Sequence, residues 1–109
     1  MSYFHKSTSL SEIVEKSHRE PVIIFKYSND CGSSTTLSTE LEQALSEKVI
    51  TYPIYRVTVQ TQPVLSKNIA EHWGVTHQSP QIIILSKGTV TYTAHHHNIK
   101  INKFAYTLT

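Results

Sequence analysis

Hydrophobic residues occur along the chain in two continuous runs and in several spaced patterns. Val22–Tyr27 and Gln81–Leu85 are nearly unbroken apolar segments, and each follows a proline. Continuous runs of this length are typical of central strands that are covered on both faces of a sheet. Ile54–Val59 and Thr89–Ala94 alternate between apolar and polar residues, which predicts two further strands with a wetter face. The second of these is expected to be an edge strand that a hairpin joins to the preceding strand.

Apolar residues spaced three and four positions apart predict four helices around these strands. The first helix is introduced by Ser9-Leu-Ser-Glu12, which has the spacing of a capping box, and it ends near Ser17. Asn98 is expected to cap the last helix. The other predicted features are a helix from about Gly32 to Lys48, a helix that starts at Pro63 and is ended by Gly74, and an inward face formed by Ile101, Phe104 and Leu108 in the last helix.

The order of these elements is helix, strand, helix, strand, helix, strand, strand, helix. The first two strands are joined through a helix, so they should be parallel with a right-handed crossover, while the last two form a hairpin. A four-stranded mixed sheet with helices on both faces satisfies these conditions. The sequence therefore predicts an α/β fold with a thioredoxin-like arrangement. A length of 109 residues suits a single domain, residues 1–109, with one core.

Composition and charge narrow the possible functions. The formal net charge is only +2, and the lysines do not form a basic stripe, so nucleic-acid binding is not expected. No apolar run approaches the roughly 20 residues that span a bilayer, and the first residues lack the apolar core of a signal peptide. One cysteine excludes an internal disulfide and a cysteine-only metal site. We expect a soluble protein of the reducing cytoplasm, without a membrane partner.

The one cysteine lies between a predicted strand and a predicted helix. Cys31 follows the apolar run and is flanked by Asn29, Asp30 and Gly32, a polar setting that favours a functional thiol over a small buried hydrophobic residue. Unpaired backbone N–H groups and the helix dipole favour the thiolate, whereas the charge of Asp30 opposes it. We expect the pKa of Cys31 to be lowered by about one unit from its ordinary value of about 8.5.

A second feature is Ser79-Pro80, directly before the third strand. Thioredoxin-like folds carry a cis proline at this place, facing the cysteine, and proline makes the cis bond accessible. The backbone of Ser79 would then pair with an extended substrate as a short added strand. The alternative is an ordinary trans proline at the start of a strand.

Several motifs in order along nearly the whole chain resemble the monothiol bacilliredoxins of the bacillithiol system. The strongest match is Ile69-Ala-Glu-His-Trp-Gly-Val-Thr-His-Gln-Ser-Pro-Gln81, which contains the family's Ile-Ala-Glu, Gly-Val and His-x-Ser-Pro-Gln. Phe25-Lys-Tyr-Ser28 and His96-His-Asn-Ile99 also correspond to family positions. At the active site the family usually has Thr-Cys-Pro-Ile-Ser, and this chain has Asp30-Cys-Gly-Ser-Ser34. The cysteine and the serine three residues later are retained.

The resemblance implies a one-thiol reaction in which bacillithiol is a co-substrate and no cofactor is tightly bound. Cys31 would take bacillithiol from a bacillithiolated protein, and another low-molecular-weight thiol would release the adduct. Ser34 is expected either to hydrogen-bond the Cys31 sulfur or to bond its own backbone. His77 is expected to act as an orienting group or weak acid at the site, or else to bond backbone within its loop. Lys26 is a candidate for binding a bacillithiol carboxylate.

Two other function classes remain open. Cys-Gly-Ser-Ser also resembles the Cys-Gly-Phe-Ser motif of monothiol glutaredoxins, which hold an iron–sulfur cluster between two subunits. Against this, Ser33 replaces the aromatic residue, and only Gly88 stands where glutaredoxins have a double glycine. Visible absorbance after anaerobic reconstitution would indicate such a carrier. In the other class, a thioredoxin-like adaptor, partner binding would survive the change Cys31→Ala.

The run His95-His-His97, among seven histidines, raises the question of a metal site. Adjacent residues of an extended segment point to opposite faces, so three in a row do not converge on one ion. Structural zinc usually needs four ligands. We therefore expect no metal site, and isothermal titration with zinc or nickel tests this.

Overall fold

The computed structural model describes residues 3–7 and 9–107, with side chains in the last helix up to Phe104. In this part of the chain the elements follow the predicted order. None of the described helices has the length and apolar content needed to cross a membrane. The elements are α1 Leu10–Ser17, β1 Val22–Tyr27, α2 Gly32–Ser46, β2 Ile54–Thr58, α3 Pro63–Trp73, β3 Gln81–Ser86, β4 Thr89–His95 and α4 Ile101–Thr107.

The strands form one mixed sheet in the order β2-β1-β3-β4. β1 pairs in parallel with β2, where Phe25 lies opposite Arg56, and antiparallel with β3, where Phe25 lies opposite Ile82. β4 pairs antiparallel with β3 and forms an edge of the sheet. The parallel pair follows from the crossover through α2, because a parallel connection must carry the chain back along the sheet. The predicted thioredoxin-like topology is confirmed.

Alternate residues of the central strands pack into two apolar clusters, one on each face of the sheet. Ile23 and Phe25 belong to the cluster that includes residues of α2 and α4, whereas Ile24 belongs to the cluster that includes residues of α1 and α3. Burial on both faces explains why these strands have continuous apolar sequences. Each large apolar side chain buried in this way stabilises the fold by about 1.5–3 kcal/mol. Apolar packing on both faces of the sheet therefore fixes the carboxyl end of β1, which leads into the turn before Cys31.

The end of α2 differs from the prediction. The helix stops at Ser46 rather than Lys48, because Lys48 adopts a left-handed backbone with φ 60°. This conformation turns the chain so that the N–H groups of Val49 and Ile50 both donate to the carbonyl of Ala44. Ile50 thereby enters the core, while Val49 is exposed.

The segment after β4 also differs from the prediction. His96–Asn98 form a 3-10 turn, and α4 begins only at Ile101, so the prediction that Asn98 caps this helix is wrong. The inward positions of the helix are confirmed, since Phe104 is fully buried and Ile101 packs against the same cluster. Leu108 lies outside the described residues.

Candidate active site

Cys31 is the N-cap residue of α2, directly after the turn that ends β1. Its backbone is extended, with φ −114° and ψ 117°. Its N–H donates to the carbonyl of Ser28 at 3.4 Å, and its side chain is half-buried. The sulfur is therefore presented at a helix end where backbone N–H groups lack partners within the helix.

Hydrogen-bond donors in the first turn of α2 favour the ionised form of the thiol. The Oγ of Ser33 lies 3.1 Å from the Sγ of Cys31. The Ser33 hydroxyl, followed by the N–H and the hydroxyl of Ser34, lowers the pKa of Cys31 from 9.0 to about 7, against a smaller opposing effect of burial. The direction agrees with the prediction. The largest contribution comes from the hydroxyl of Ser33.

The hydroxyl of Ser34 is buried in the first turn of α2. Among the residues that the structure describes, its Oγ has no hydrogen-bond partner, so the predicted alternative in which Ser34 bonds its own backbone is not observed. The hydroxyl contributes to the lowered pKa of Cys31 even though it forms no bond of ordinary geometry with the sulfur. An unsatisfied buried hydroxyl costs about 1–3 kcal/mol, and a thiolate is a better acceptor than a thiol. This arrangement therefore suits the ionised sulfur.

Gln60, in the loop after β2, organises the turn before Cys31. Its Nε2 donates to the Oγ of Ser28 at 2.8 Å and to Oδ2 of Asp30 at 3.5 Å, while its Oε1 accepts from the N–H of Asn29 at 3.2 Å. The exposed Asp30 carboxylate is not among the groups that shift the pKa of Cys31. No sequence pattern singled out Gln60, because it meets this turn only through the parallel pairing of β1 and β2.

The Ser79-Pro80 bond is cis, as expected. Pro80 is buried and lines a cavity of about 400 Å³, which also borders Gly32 and Ser33 in the first turn of α2. The Pro80 carbonyl accepts a hydrogen bond from the N–H of His96 at 3.0 Å. The structure thus brings Pro80 and the start of α2 to one cavity. Pairing between the half-buried Ser79 and a substrate stays a prediction.

Lys26 and His77, the two other predicted site residues, contact each other. Lys26 is fully buried, and its Nζ donates to the carbonyl of Ser66 at 2.9 Å and lies 3.2 Å from Nδ1 of His77. Burial lowers the pKa of Lys26 from 10.5 to about 8. Burial and the Lys26 charge lower the pKa of His77. Since the ammonium can only donate, Nδ1 of His77 accepts, and the proton of the neutral ring is assigned to Nε2.

This pairing changes what can be expected of Lys26. Its ammonium lies inside the protein with two partners, so binding of a bacillithiol carboxylate would require Nζ to leave both of them. His77 belongs to the loop that leads to Pro80, and its observed contacts are with the side chains of Lys26 and Ser66 rather than with backbone. The direct substrate roles of both residues stay predictions.

Gln81 is the last residue of the His-x-Ser-Pro-Gln motif, but the sequence predicted no role for its side chain. It is buried at the start of β3, where its Nε2 donates to the carbonyl of Thr76 at 3.1 Å and its Oε1 accepts from the N–H of Gln78 at 3.3 Å. The side chain therefore fixes the loop that precedes Pro80. A polar residue at the first position of an otherwise apolar strand is the signal that could have indicated this role.

The run of three histidines divides between β4 and the following turn. Nδ1 of His95 lies 3.1 Å from Nδ1 of His96, and His96 and His97 line the cavity beside Pro80. The expectation that the whole run is extended is wrong beyond His95, because His96 has a left-handed backbone with φ 54°. Within residues 3–7 and 9–107 no group of three or more histidine, cysteine or acidic residues is placed to hold a metal ion.

Known structures share this fold. A candidate oxidoreductase with a thioredoxin fold has a TM-score of 0.82 at 24% identity, covering 95% of this chain and 92% of its own. Thioredoxin f from spinach chloroplast has a TM-score of 0.73 at 16% identity, covering 98% and 91%. Thioredoxin from Trypanosoma brucei brucei has a TM-score of 0.73 at 16% identity, covering 96% and 87%. At these identities the similarity shows the thioredoxin fold.

The fold, together with one cysteine of lowered pKa at a helix start, defines a thioredoxin-like protein of the monothiol class. The family model described as monothiol bacilliredoxin BrxC matches residues 3–104. The chain therefore belongs to the monothiol bacilliredoxin family. Family and fold together support a thiol redox role for this protein.

Proposed function

We propose that this protein removes bacillithiol from protein mixed disulfides by one-thiol exchange at Cys31. The observation that carries the proposal is the chain's one thiol, whose pKa is about 7 because of hydrogen bonds from the first turn of α2. A thiol attacks disulfides most effectively when its pKa lies near the ambient pH, since the thiolate is then both abundant and nucleophilic. Membership of the monothiol bacilliredoxin family supports bacillithiol as the small thiol.

The exchange proceeds in two steps that balance without a redox cofactor. The Cys31 thiolate attacks the bacillithiol sulfur, and a disulfide between Cys31 and bacillithiol forms as the bond to the target sulfur breaks. The target leaves as a thiolate and takes a proton from water. Because the chain has one cysteine, a second low-molecular-weight thiol attacks the bacillithiol sulfur and releases the Cys31 thiolate. The second step produces a disulfide of two small thiols.

The hydroxyl of Ser33 serves both steps. In the first step it stabilises the attacking thiolate of Cys31, from which it is separated by 3.1 Å. In the second step Cys31 is the leaving group, and a thiolate of lower pKa leaves faster. The hydroxyl of Ser34 adds to the same effect. Pro80 and the backbone of Ser79 form the edge along which the target segment would lie. The exchange takes place in the cytoplasm, where thiols stay reduced.

Intact mass spectrometry tests the proposal. The reduced protein and the variant Cys31→Ala are each mixed with a bacillithiol-modified target. We expect the wild type to gain one bacillithiol while the target loses it, and the variant to do neither. Alkylation of the wild type by iodoacetamide serves as the control for thiol reactivity. If the thiol is alkylated but no bacillithiol is transferred, the proposal is wrong, and the cluster-carrier and adaptor functions become the leading alternatives.

A further inference from the structure

The cavity beside Pro80, here called the thiol groove, is lined by Gly32, Ser33, Thr36, Leu37, Glu40, Pro80, His96, His97 and Ile99. We propose that the thiol groove binds the bacillithiol portion of the mixed disulfide, with His96, His97 and Glu40 recognising its charged groups. This inference rests on the proposed function, because it assigns a binding place to the small thiol that is transferred. The side chains to which it assigns a role, those of His96, His97 and Glu40, are distinct from Cys31 and from the two serines that lower its pKa.

The covalent geometry of the adduct places bacillithiol close to the groove. Once the exchange has occurred, the bacillithiol sulfur lies about 2.05 Å from the Sγ of Cys31. The rest of this small molecule must therefore occupy space next to the first turn of α2. The thiol groove begins at Gly32 and Ser33, the two residues that follow Cys31. Its volume of about 400 Å³ falls within the range of about 300–1,000 Å³ that is typical of small-molecule sites.

Four other cavities occur elsewhere on the described part of the chain. One is lined mainly by residues near the amino end of β2, a second by residues between α1 and the loop after β2, and a third by residues of α1 and Tyr55. A fourth lies along α3 beside His77. None of these four includes a residue of the first turn of α2 among its lining residues. Of these five cavities, the thiol groove is therefore the one that borders the residues next to Cys31.

The side chains of the groove complement the chemistry of bacillithiol, which carries carboxylates and a primary amine. His96 and His97 are exposed and present imidazole N–H donors that suit a carboxylate. The carboxylate of Glu40 is an acceptor that suits an ammonium group. Apolar lining comes from Leu37, Pro80 and Ile99. A groove that offers two imidazole donors and one carboxylate matches a ligand with carboxylate and ammonium groups better than it matches an uncharged thiol.

His96 is held in place at the edge of the groove. The N–H of His96 donates to the Pro80 carbonyl at 3.0 Å, which ties the turn to the cis proline. The Nδ1 atoms of His95 and His96 are 3.1 Å apart, so the His96 ring has a neighbour that limits its rotation. A binding group that is already oriented loses less conformational freedom when its ligand arrives.

The test compares two mixed disulfides of one target protein, made with bacillithiol and with uncharged 2-mercaptoethanol. The variants are His97→Ala, Glu40→Gln and His96→Asn, the last because asparagine tolerates the left-handed backbone of His96. His72→Ala is the matched control, since His72 is an exposed histidine of α3 that does not line the groove. We expect His97→Ala to slow transfer from the bacillithiol disulfide by about tenfold, the effect of losing a hydrogen bond to a charged group. Transfer from the mercaptoethanol disulfide should change by less than about twofold.

A second measurement does not depend on catalysis. Cys31 is converted chemically into its bacillithiol disulfide or its mercaptoethanol disulfide, and the backbone amide spectra of the two adducts are compared by NMR. We expect differences centred on residues 36–40 and 96–99. Equal slowing of both disulfides by the variants, or spectra that differ only at Cys31 and its neighbours, would overturn the groove assignment. If the spectral differences appear but the wild type transfers no bacillithiol, the groove assignment stands and the proposed function is wrong.

Discussion

Cys31 and Lys26 both have a pKa far below the ordinary value of their side chain, but for opposite physical reasons. Hydrogen bonds that favour the charged thiolate lower the pKa of half-buried Cys31 from 9.0 to about 7. Loss of water around the charged ammonium lowers the pKa of fully buried Lys26 from 10.5 to about 8. The surroundings of Cys31 stabilise its ionised form, whereas the surroundings of Lys26 destabilise its ionised form.

A lowered pKa therefore has different consequences at the two residues, for reactivity at Cys31 and for stability at Lys26. The environment of Cys31 favours the form that reacts, so its lowered pKa prepares the thiol for exchange at neutral pH. The environment of Lys26 opposes the form that prevails below pH 8, and its two hydrogen-bond partners are a carbonyl and an imidazole nitrogen rather than a carboxylate. Buried lysines without a charged partner are rare and usually reduce stability. Lys26 is therefore expected to reduce stability while fixing the loop of His77.

The largest expected effect comes from removing the lysine charge. Lys26→Met keeps an unbranched apolar side chain of similar length and should raise the free energy of unfolding at pH 7 by about 1–3 kcal/mol. Urea unfolding at several pH values measures this. Lys67→Met is the matched control, because Lys67 is an exposed lysine of α3 whose ion pair with Glu71 has a separation of 4.0 Å. That control should change stability by less than about 0.5 kcal/mol.

The pH dependence of this stabilisation follows from the sign of the shift. Between pH 8 and 10.5 the unfolded chain holds the Lys26 proton more strongly than the folded chain, so wild-type stability rises with pH. The advantage of Lys26→Met should therefore shrink across this interval. A variant that is less stable than the wild type at pH 7 would contradict the comparison, because it would mean that the buried ammonium stabilises the fold.

The second prediction concerns the hydroxyl that stabilises the thiolate. Ser33→Ala should raise the pKa of Cys31 to about 8, because it removes the largest cause of the lowering. Alkylation by iodoacetamide at pH 7 should then slow by about two- to fivefold, since the thiolate becomes scarcer but intrinsically more nucleophilic. Ultraviolet absorbance of the thiolate during a pH titration measures the pKa itself. Ser46→Ala, at the exposed far end of α2, is the control, and an unchanged pKa in Ser33→Ala would refute the assignment.

A third change alters the backbone at the thiol without touching the lysine. Gly32→Pro restores the proline that the family usually has after the cysteine. Cys31 before it is extended, Gly32 is the first helical residue, and a Cβ added at Gly32 meets no atom within 4 Å. Proline is favoured at such a position and restricts the unfolded chain, so we expect stability to rise by about 0.5–1 kcal/mol. Thermal unfolding measures the gain, and a loss of stability would show that the ring meets an obstacle.

The smallest expected effect tests the turn before the thiol. Asp30→Asn should change the pKa of Cys31 by less than about 0.3. The reason is that the Asp30 carboxylate is exposed and directed to Gln60, so that solvent screens its charge from the thiolate. Gln60→Ala should raise the pKa slightly by releasing the Asp30 carboxylate from its partner. The double variant should return the pKa to the wild-type value. A clear fall of the pKa in Asp30→Asn alone would mean that the carboxylate already opposes the thiolate.

Local patterns in the sequence predicted most of the fold. Val22–Tyr27 and Gln81–Leu85 were identified as central strands because burial on two faces requires continuous apolar residues. Errors occurred where one residue changes the chain direction, at Lys48 and at His96, since a left-handed backbone in a residue other than glycine has no strong sequence signal. The position of Cys31 at a helix start also followed from local sequence.

The contacts of the site could not be predicted in the same way. The sequence pointed to Ser34 as the serine near the sulfur, and its hydroxyl contributes to the lowered pKa of Cys31, but the hydroxyl at 3.1 Å from Sγ belongs to Ser33. The side-chain directions in one helical turn decide between the two, and they depend on how α2 packs on the sheet. Gln60 escaped notice because its partners Ser28, Asn29 and Asp30 belong to a different loop.

By itself the sequence determined a thioredoxin-like sheet, one thiol at the start of a helix, and a family in which one thiol acts alone. These features arise from the spacing of neighbouring residues and from ordered motifs, which need no knowledge of the folded chain. Only the tertiary structure decided that Lys26 is buried against His77, and that His96 and His97 face the groove beside Pro80. Such contacts join residues far apart in the sequence, and they exist only after strand pairing and helix packing have brought those segments together.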